Sequence, residues 1–153
     1  MRFLADEMLN KTARWLRLIG FDTEHASGIS DDKILEKAVM EGRVLLTRDE
    51  ELAGRAAKIG ADALYLKQGS VEDDLRAVLS TYGLSPGFPE KTRCPECNGG
   101  LSPKKVEDVE KEIPAGSRES GSSFWKCSSC GKVYWEGAHW KNIKKVLEKI
   151  EKN

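Results

Sequence analysis

Two sets of side chains in this sequence have the types and spacing to hold metal ions, and they suit different ions. The first is Cys94-Pro95-Glu96-Cys97 and Cys127-Ser128-Ser129-Cys130, two C-x2-C pairs separated by the 29 residues from Asn98 to Lys126. Four soft thiolates from two tight knuckles complete a tetrahedral shell around Zn²⁺, and Gly99 and Gly131 stand where the backbone has to turn beneath the sulfurs. Such a shell leaves no open position for water or substrate, so the expected zinc is structural. Disulfide bonding is the competing reading. It is disfavoured because the chain opens on Met1-Arg2-Phe3-Leu4-Ala5 without an apolar leader and reads as cytoplasmic. Thioredoxin-like redox chemistry fits two matched pairs in a strand-rich segment poorly. His139 is not needed as a fifth ligand.

The second set is acidic. Asp6, Asp31 and Asp49 stand at equivalent places in successive structural repeats, each just after a strand or at the start of a helix. Taken singly, each reads as a helix cap. Brought together, three carboxylates repel one another unless a hard cation neutralises them, and an oxygen-bound Mg²⁺ or Mn²⁺ is the consistent guest.

The elements that position these groups follow from periodicity. Residues 2–5, 22–26, 43–47 and 63–67 read as short strands. They alternate with helical patterns at 8–19, 31–41, 50–59 and 71–82, with Ser30 as a cap and Gly20, Gly42 and Gly60 as stops. The order β-α-β-α-β-α-β-α predicts parallel strands with crossover helices, a Rossmann-like α/β layer. In such a sheet, strand C-termini and helix N-termini share one edge, where ligands bind. Pro86-Gly87-Phe88-Pro89 marks a linker over 86–92 between an α/β domain, 1–85, and a small second domain, 93–153. In the second domain, residues 124–126 and 132–135 read as strands, 116–123 as a polar loop and 142–152 as a helix burying Ile143, Val146, Leu147 and Ile150. Trp125, Tyr134, Trp135 and Trp140 supply its core, or one of them stacks on a nucleobase.

Composition limits the alternatives. With 25 basic and 25 acidic side chains in 153 residues, the chain is no basic coat for nucleic acid, and no apolar run approaches the ~18 residues that would span a membrane. The charge is uneven: residues 1–90 carry 12 basic and 16 acidic side chains, residues 91–153 carry 13 and 9. That suits a cation-binding half beside a polyanion-binding half; a lysine-rich final helix accounts for it equally well. No P-loop or dinucleotide fingerprint occurs, and His25 and His139 are the only histidines, so no Ser-His-Asp arrangement competes.

Several motifs occur in an order that resembles one family. They are Asp6-Glu7-Met8-Leu9-Asn10-Lys11, the run from Ala13-Arg14-Trp15 to Asp22-Thr23, Ser30-Asp31-Asp32-Lys33-Ile34-Leu35, Val44-Leu45-Leu46-Thr47-Arg48-Asp49, the cysteine pairs and Gly137-Ala138-His139-Trp140. Together they resemble the Mut-seven C-terminal RNase-domain family, whose members are similar to PIN-domain nucleases carrying a C-terminal zinc ribbon. The resemblance covers nearly the whole chain. It implies a PIN-like parallel-sheet domain followed by a zinc ribbon with a C-terminal helix, and a metal-dependent ribonuclease whose acidic site falls on Asp6, Asp31 and Asp49. PIN-like sites often have a fourth acid, here Glu51, with Asp32 as a competing choice. One or two Mg²⁺ or Mn²⁺ ions would activate water and stabilise the leaving oxygen. Lys11, Arg14 and Arg17, at three-residue intervals, and Arg48 would seat the RNA backbone, although solvated charges are the ordinary meaning of that spacing. RNA is the expected partner, with ribosomal or RNA-processing proteins as further ones; the ribbon would aid binding or docking. Two rivals belong to other classes: a non-catalytic RNA- or ribosome-binding zinc-ribbon adaptor, and a small-molecule Mg²⁺-dependent phosphohydrolase. No heptad or apolar stripe identifies an oligomer interface.

Overall fold

Val44-Leu45-Leu46-Thr47 is buried at every position, as a strand covered on both faces must be. In the computed structural model, which describes residues 1–118 and 123–152, this segment is β3 (Val44–Thr47) of a parallel four-stranded sheet. Its partners are β1 (Arg2–Ala5), β2 (Asp22–His25) and β4 (Ala63–Tyr65), in the order β2-β1-β3-β4. The crossovers are α1 (Asn10–Leu18), α2 (Asp31–Glu41) and α3 (Glu50–Lys58), and α4 (Val71–Tyr82) follows β4. Mixed α/β architecture with a parallel sheet is therefore as expected.

Register divides the core into two layers. Leu4 and Leu45 are ladder partners and pack with Ile34, Leu35 and Ala38 of α2 and Leu52 and Ala56 of α3. One residue along, Phe3 turns to the opposite face, where its ring meets Phe21 and Tyr82 edge-on. Ser30 caps α2 through Lys33 N, and Gly42 ends it in the left-handed conformation. Two boundaries differ from expectation. Asp6 caps a 3₁₀ turn, Glu7–Leu9, so α1 starts only at Asn10. The strand expected over 63–67 stops at Tyr65, and the Lys67 carbonyl accepts from Arg48 at 2.6 Å.

The chain forms two compact units, Met1–Asn98 and Gly99–Asn153. Residues 86–92, expected as a linker, are bonded into the first: Gly87 N donates to Ile19 O at 2.7 Å and Thr92 Oγ1 to Leu18 O at 2.7 Å. The first cysteine knuckle continues this attachment. Arg17 Nη1 donates to Pro95 O at 2.8 Å, and the Asn98 amide accepts from Thr23 N at 3.0 Å and donates to Asp22 Oδ1 at 2.7 Å. The division accordingly falls after Asn98.

Burial alone would raise the Asp22 carboxyl, but hydrogen bonds from Arg43 and Asn98 and the charges of Arg43 and Arg93 hold it below the ordinary carboxylate range. The Glu41 carboxyl is lowered too, mainly by its hydrogen bond from Arg43. A carboxyl depressed by folding contributes stability that is full above its unfolded value and is lost as pH falls through its folded value. The urea midpoint is therefore expected to fall as pH drops below the unfolded carboxylate range, about 4. Asp22→Asn should flatten that dependence; an unchanged pH slope in the variant would count against the assignment.

The second unit holds an antiparallel sheet, β5-β6-β7, made of β5 (Leu101–Lys104), β6 (Phe124–Cys127) and β7 (Val133–Trp135). No element was expected over 101–104; Pro103 is tolerated in β5 because β5 lies on the sheet edge. A short helix, α5 (Val106–Val109), leads to Ile113, and Val109, Ile113, Phe124 and Val133 form a small core against which Trp135 packs. The loop expected over 116–123 begins as a 3₁₀ turn, Ala115–Ser117; residues 119–122 lie outside the described residues. The last helix, α6 (Ala138–Glu151), starts four residues before the expected 142. Its first turn has a packing role, for the Trp140 ring stacks on Trp125 at 5.2 Å. Ile143, Leu147 and Ile150 are buried as expected. No helix among the described residues is long and apolar enough to cross a membrane.

Candidate active-site edge and metal centre

From β1 the chain passes to β2 on one side, and from β3 to β4 on the other. The connections therefore part between the C-terminal ends of β1 and β3, the switch point where open parallel sheets hold ligands. Asp6 and Asp49 stand there. The Asp6 backbone N–H donates to Leu46 O at 3.0 Å, extending the β1–β3 pairing by one bond. Its carboxylate Oδ1 accepts from Met8 N at 3.1 Å, and its Oδ2 accepts from the Thr47 hydroxyl at 2.5 Å. That hydroxyl in turn accepts from the Asp49 backbone N–H at 2.9 Å. Asp49 Oδ1 caps α3 through Leu52 N at 3.2 Å. Fully buried Thr47 thus connects the two acids. Thr47 was not singled out from the sequence, although its place two residues before Asp49 was the available sign.

The other acids are placed differently. Asp31, the first residue of α2, is exposed, and its Oδ2 is 3.9 Å from Arg55 Nη1. Arg55 Nη2 holds Asp32 Oδ1 at 2.5 Å. Glu51, exposed in the first turn of α3, makes no hydrogen bond or ion pair among the described residues. The structure therefore joins Asp6 with Asp49 through Thr47, and Asp31 with Asp32 through Arg55. The three aspartates do not gather as tightly as the cysteines do.

Of the four basic residues expected to seat RNA, Lys11 is exposed and Arg14 is half-exposed in an ion pair with Glu96 at 2.7 Å. Arg17 and Arg48 are taken up by the protein itself. Arg17 is buried, donating to Thr23 O and Pro95 O at 2.8 Å each. That burial pulls its guanidinium below the ordinary value, opposed by Glu24, Cys94 and Cys97. Arg48 forms a two-point pair with buried Asp74, 3.1 and 2.9 Å, and Asp74 also accepts from the Thr12 hydroxyl at 2.6 Å. Removing one partner of a buried pair strands the other's charge. Asp74→Ala is expected to lower unfolding free energy by about 3–5 kcal/mol. The apolar double variant Arg48→Met/Asp74→Leu should recover most of it, and urea unfolding of both measures the difference.

The four cysteine sulfurs all lie within 4.8 Å of one another. Zinc bonds of ~2.3 Å in a tetrahedron put sulfurs roughly 3.8 Å apart, so the group fits that ion with little adjustment. The second knuckle is already shaped for it: Ser129 N and Cys130 N point at Cys127 Sγ from 3.4 and 3.5 Å. The residue after each pair is left-handed, Asn98 at φ 69° and Gly131 at φ 78°. Gly131 turns the chain as expected, whereas in the first knuckle Asn98 does so. Gly99 serves close approach instead, since a Cβ there would lie 2.8 Å from Cys127 Sγ.

The chain thus combines a mixed α/β architecture built on a parallel four-stranded sheet with a four-cysteine cluster compatible with a zinc ribbon. The chain belongs to the Mut7-C RNAse domain family, whose model matches residues 1–147. That membership points to nuclease chemistry with RNA as substrate. Neither the curated proteins nor the solved structures include a significant match.

Proposed function

We propose that this chain is a metal-dependent ribonuclease that hydrolyses RNA phosphodiester bonds at the C-terminal edge of a PIN-like parallel sheet. The observation that carries this reading is the Asp6–Thr47–Asp49 connection at the switch point between β1 and β3. Asp6, Asp31 and Asp49 would hold Mg²⁺ or Mn²⁺, since an all-oxygen, anionic donor set suits a hard cation. Held there, such an ion would supply water activation and charge neutralisation at the scissile phosphate.

The chain's own residues prepare that place. Thr47 donates to Asp6 Oδ2, which holds this carboxylate in one orientation. Asp49 uses Oδ1 for the helix cap, and Oδ2 makes no hydrogen bond among the described residues. Glu51 is the fourth acid favoured here, because Asp32 is held by Arg55 and Glu51 is not. Lys11 would meet the RNA backbone. Arg14 would join it, because an exposed pair such as Arg14–Glu96 is worth only ~0–1 kcal/mol and yields readily to a phosphate. The zinc ribbon would aid RNA binding or docking.

The test is cleavage of a labelled RNA oligonucleotide with added Mn²⁺ or Mg²⁺. Faster turnover of a generic phosphate ester than of RNA would favour the phosphohydrolase. RNA binding without cleavage, indifferent to Asp6→Asn, would favour the adaptor.

A further inference from the structure

We propose that the cleft between the C-terminal end of β4 and α4 is a nucleobase subsite for the RNA strand being cut; the inference rests on the ribonuclease reading. Tyr65 ends β4 and is the ladder partner of Thr47. It therefore stands one strand spacing, ~4.8 Å along the sheet, from the residue that connects Asp6 and Asp49. Tyr65 is 38% exposed, and among the described residues its side chain makes no hydrogen bond and no ring contact. The cleft beside it has a volume of about 390 Å³, within the range of small-ligand sites, and its lining includes Tyr65, Lys67, Gln68 and Asp73.

These side chains have the chemistry of single-stranded RNA recognition. An aromatic face stacks on any base, a glutamine amide both donates to and accepts from a base edge, and a lysine meets the adjacent phosphate. The loop that carries them is already ordered. Arg48 donates to Lys67 O at 2.6 Å and pairs with Asp74, while Ser70 and Asp73 form a reciprocal capping box at the start of α4. A preorganised platform binds without a further ordering cost. Because Arg48 immediately precedes Asp49, the residue that braces the platform is directly attached to the acidic edge.

The experiment is fluorescence anisotropy of the full chain with labelled single-stranded RNA and no added divalent ion. Tyr65→Ala should weaken binding about 5- to 100-fold, whereas Tyr65→Phe, which keeps the ring, should bind like the parent. An abasic nucleotide at one position of the RNA should cost the parent a similar factor and Tyr65→Ala nothing more. If Tyr65→Ala lowers the unfolding midpoint, Tyr65→Leu, which keeps bulk without a π face, is read in its place. RNA binding by Tyr65→Ala or Tyr65→Leu within twofold of a parent that binds and cleaves overturns the subsite alone, as does an abasic scan with no sensitive position. A parent that neither binds nor cleaves RNA overturns the ribonuclease reading, and the subsite with it.

Discussion

Asp6→Asn and Asp49→Asn are each expected to lower Mn²⁺- or Mg²⁺-dependent RNA cleavage by about 10³-fold, the equivalent of several kcal/mol of transition-state charge stabilisation, with the fold intact. Asparagine separates these two effects. Its side-chain oxygen still accepts from Met8 N or the Thr47 hydroxyl at position 6, and from Leu52 N at position 49. As an N-cap it equals aspartate, whereas Asp49→Ala would remove the cap and cost about 1 kcal/mol of stability unrelated to chemistry. What asparagine removes is the negative charge that holds a hard cation. Single-turnover cleavage measures the loss of rate, Mn²⁺ titration measures the loss of ion affinity, and urea unfolding verifies the fold. Because EDTA would strip zinc as well as the catalytic ion, these variants are a cleaner test than chelation. Cleavage within a few-fold of the parent in both variants would remove the acidic edge from the reaction.

What was legible in the sequence was local. The 2-residue and 3.6-residue periods of residues 1–82, the Ser30 cap and the Gly42 stop each depend on near neighbours, and the elements formed where those signals stood. The two C-x2-C pairs were equally legible, since a knuckle is four consecutive residues. What escaped depends on register and on contacts between distant segments. Thr47 matters because β1 and β3 pair so that its hydroxyl reaches Asp6, 41 residues away. Arg55 escaped because only the approach of α3 to α2 brings it to Asp31 and Asp32. The burial of Arg17 has the same origin. A three-residue interval from Arg14 places it near the helix's polar side, but the Pro95 and Thr23 carbonyls fold over that flank and convert a surface cation into an internal tie. Asn98 combines two unforeseen tasks, a left-handed turn after Cys97 and a side-chain amide that satisfies the Thr23 N–H of edge strand β2.

The zinc centre should produce the largest structural effect, because two of its four ligands, Cys127 and Cys130, belong to the Gly99–Asn153 unit, whose apolar core is small. Val109, Ile113, Phe124 and Val133 are a small core, and strands of four, four and three residues form its only sheet among the described residues. A single core in a unit this small supplies only about 3–5 kcal/mol, and natural units of this kind commonly add a metal, a disulfide or a partner. Structural zinc contributes an apparent ~10–16 kcal/mol of binding free energy, far more than such a core provides. Cys127→Ser is therefore expected to reduce bound zinc from one ion per chain to none, by elemental analysis. Amide protection across Phe124–Cys127 should be lost with it, together with the near-ultraviolet circular dichroism from the Trp125–Trp140 stack. The substitution itself is small and leaves a hydroxyl near the position of the thiol, so a collapse of this extent would report the lost metal bond. Met1–Asn98 has its own core of Phe3, Leu4, Leu16, Leu45 and Leu75 and should keep its helical signal. Cys127→His, which restores a zinc ligand through nitrogen, should regain part of the bound metal and part of the protection. A Cys127→Ser chain that retains stoichiometric zinc and unchanged exchange rates would show that the fold of this unit does not depend on the cluster.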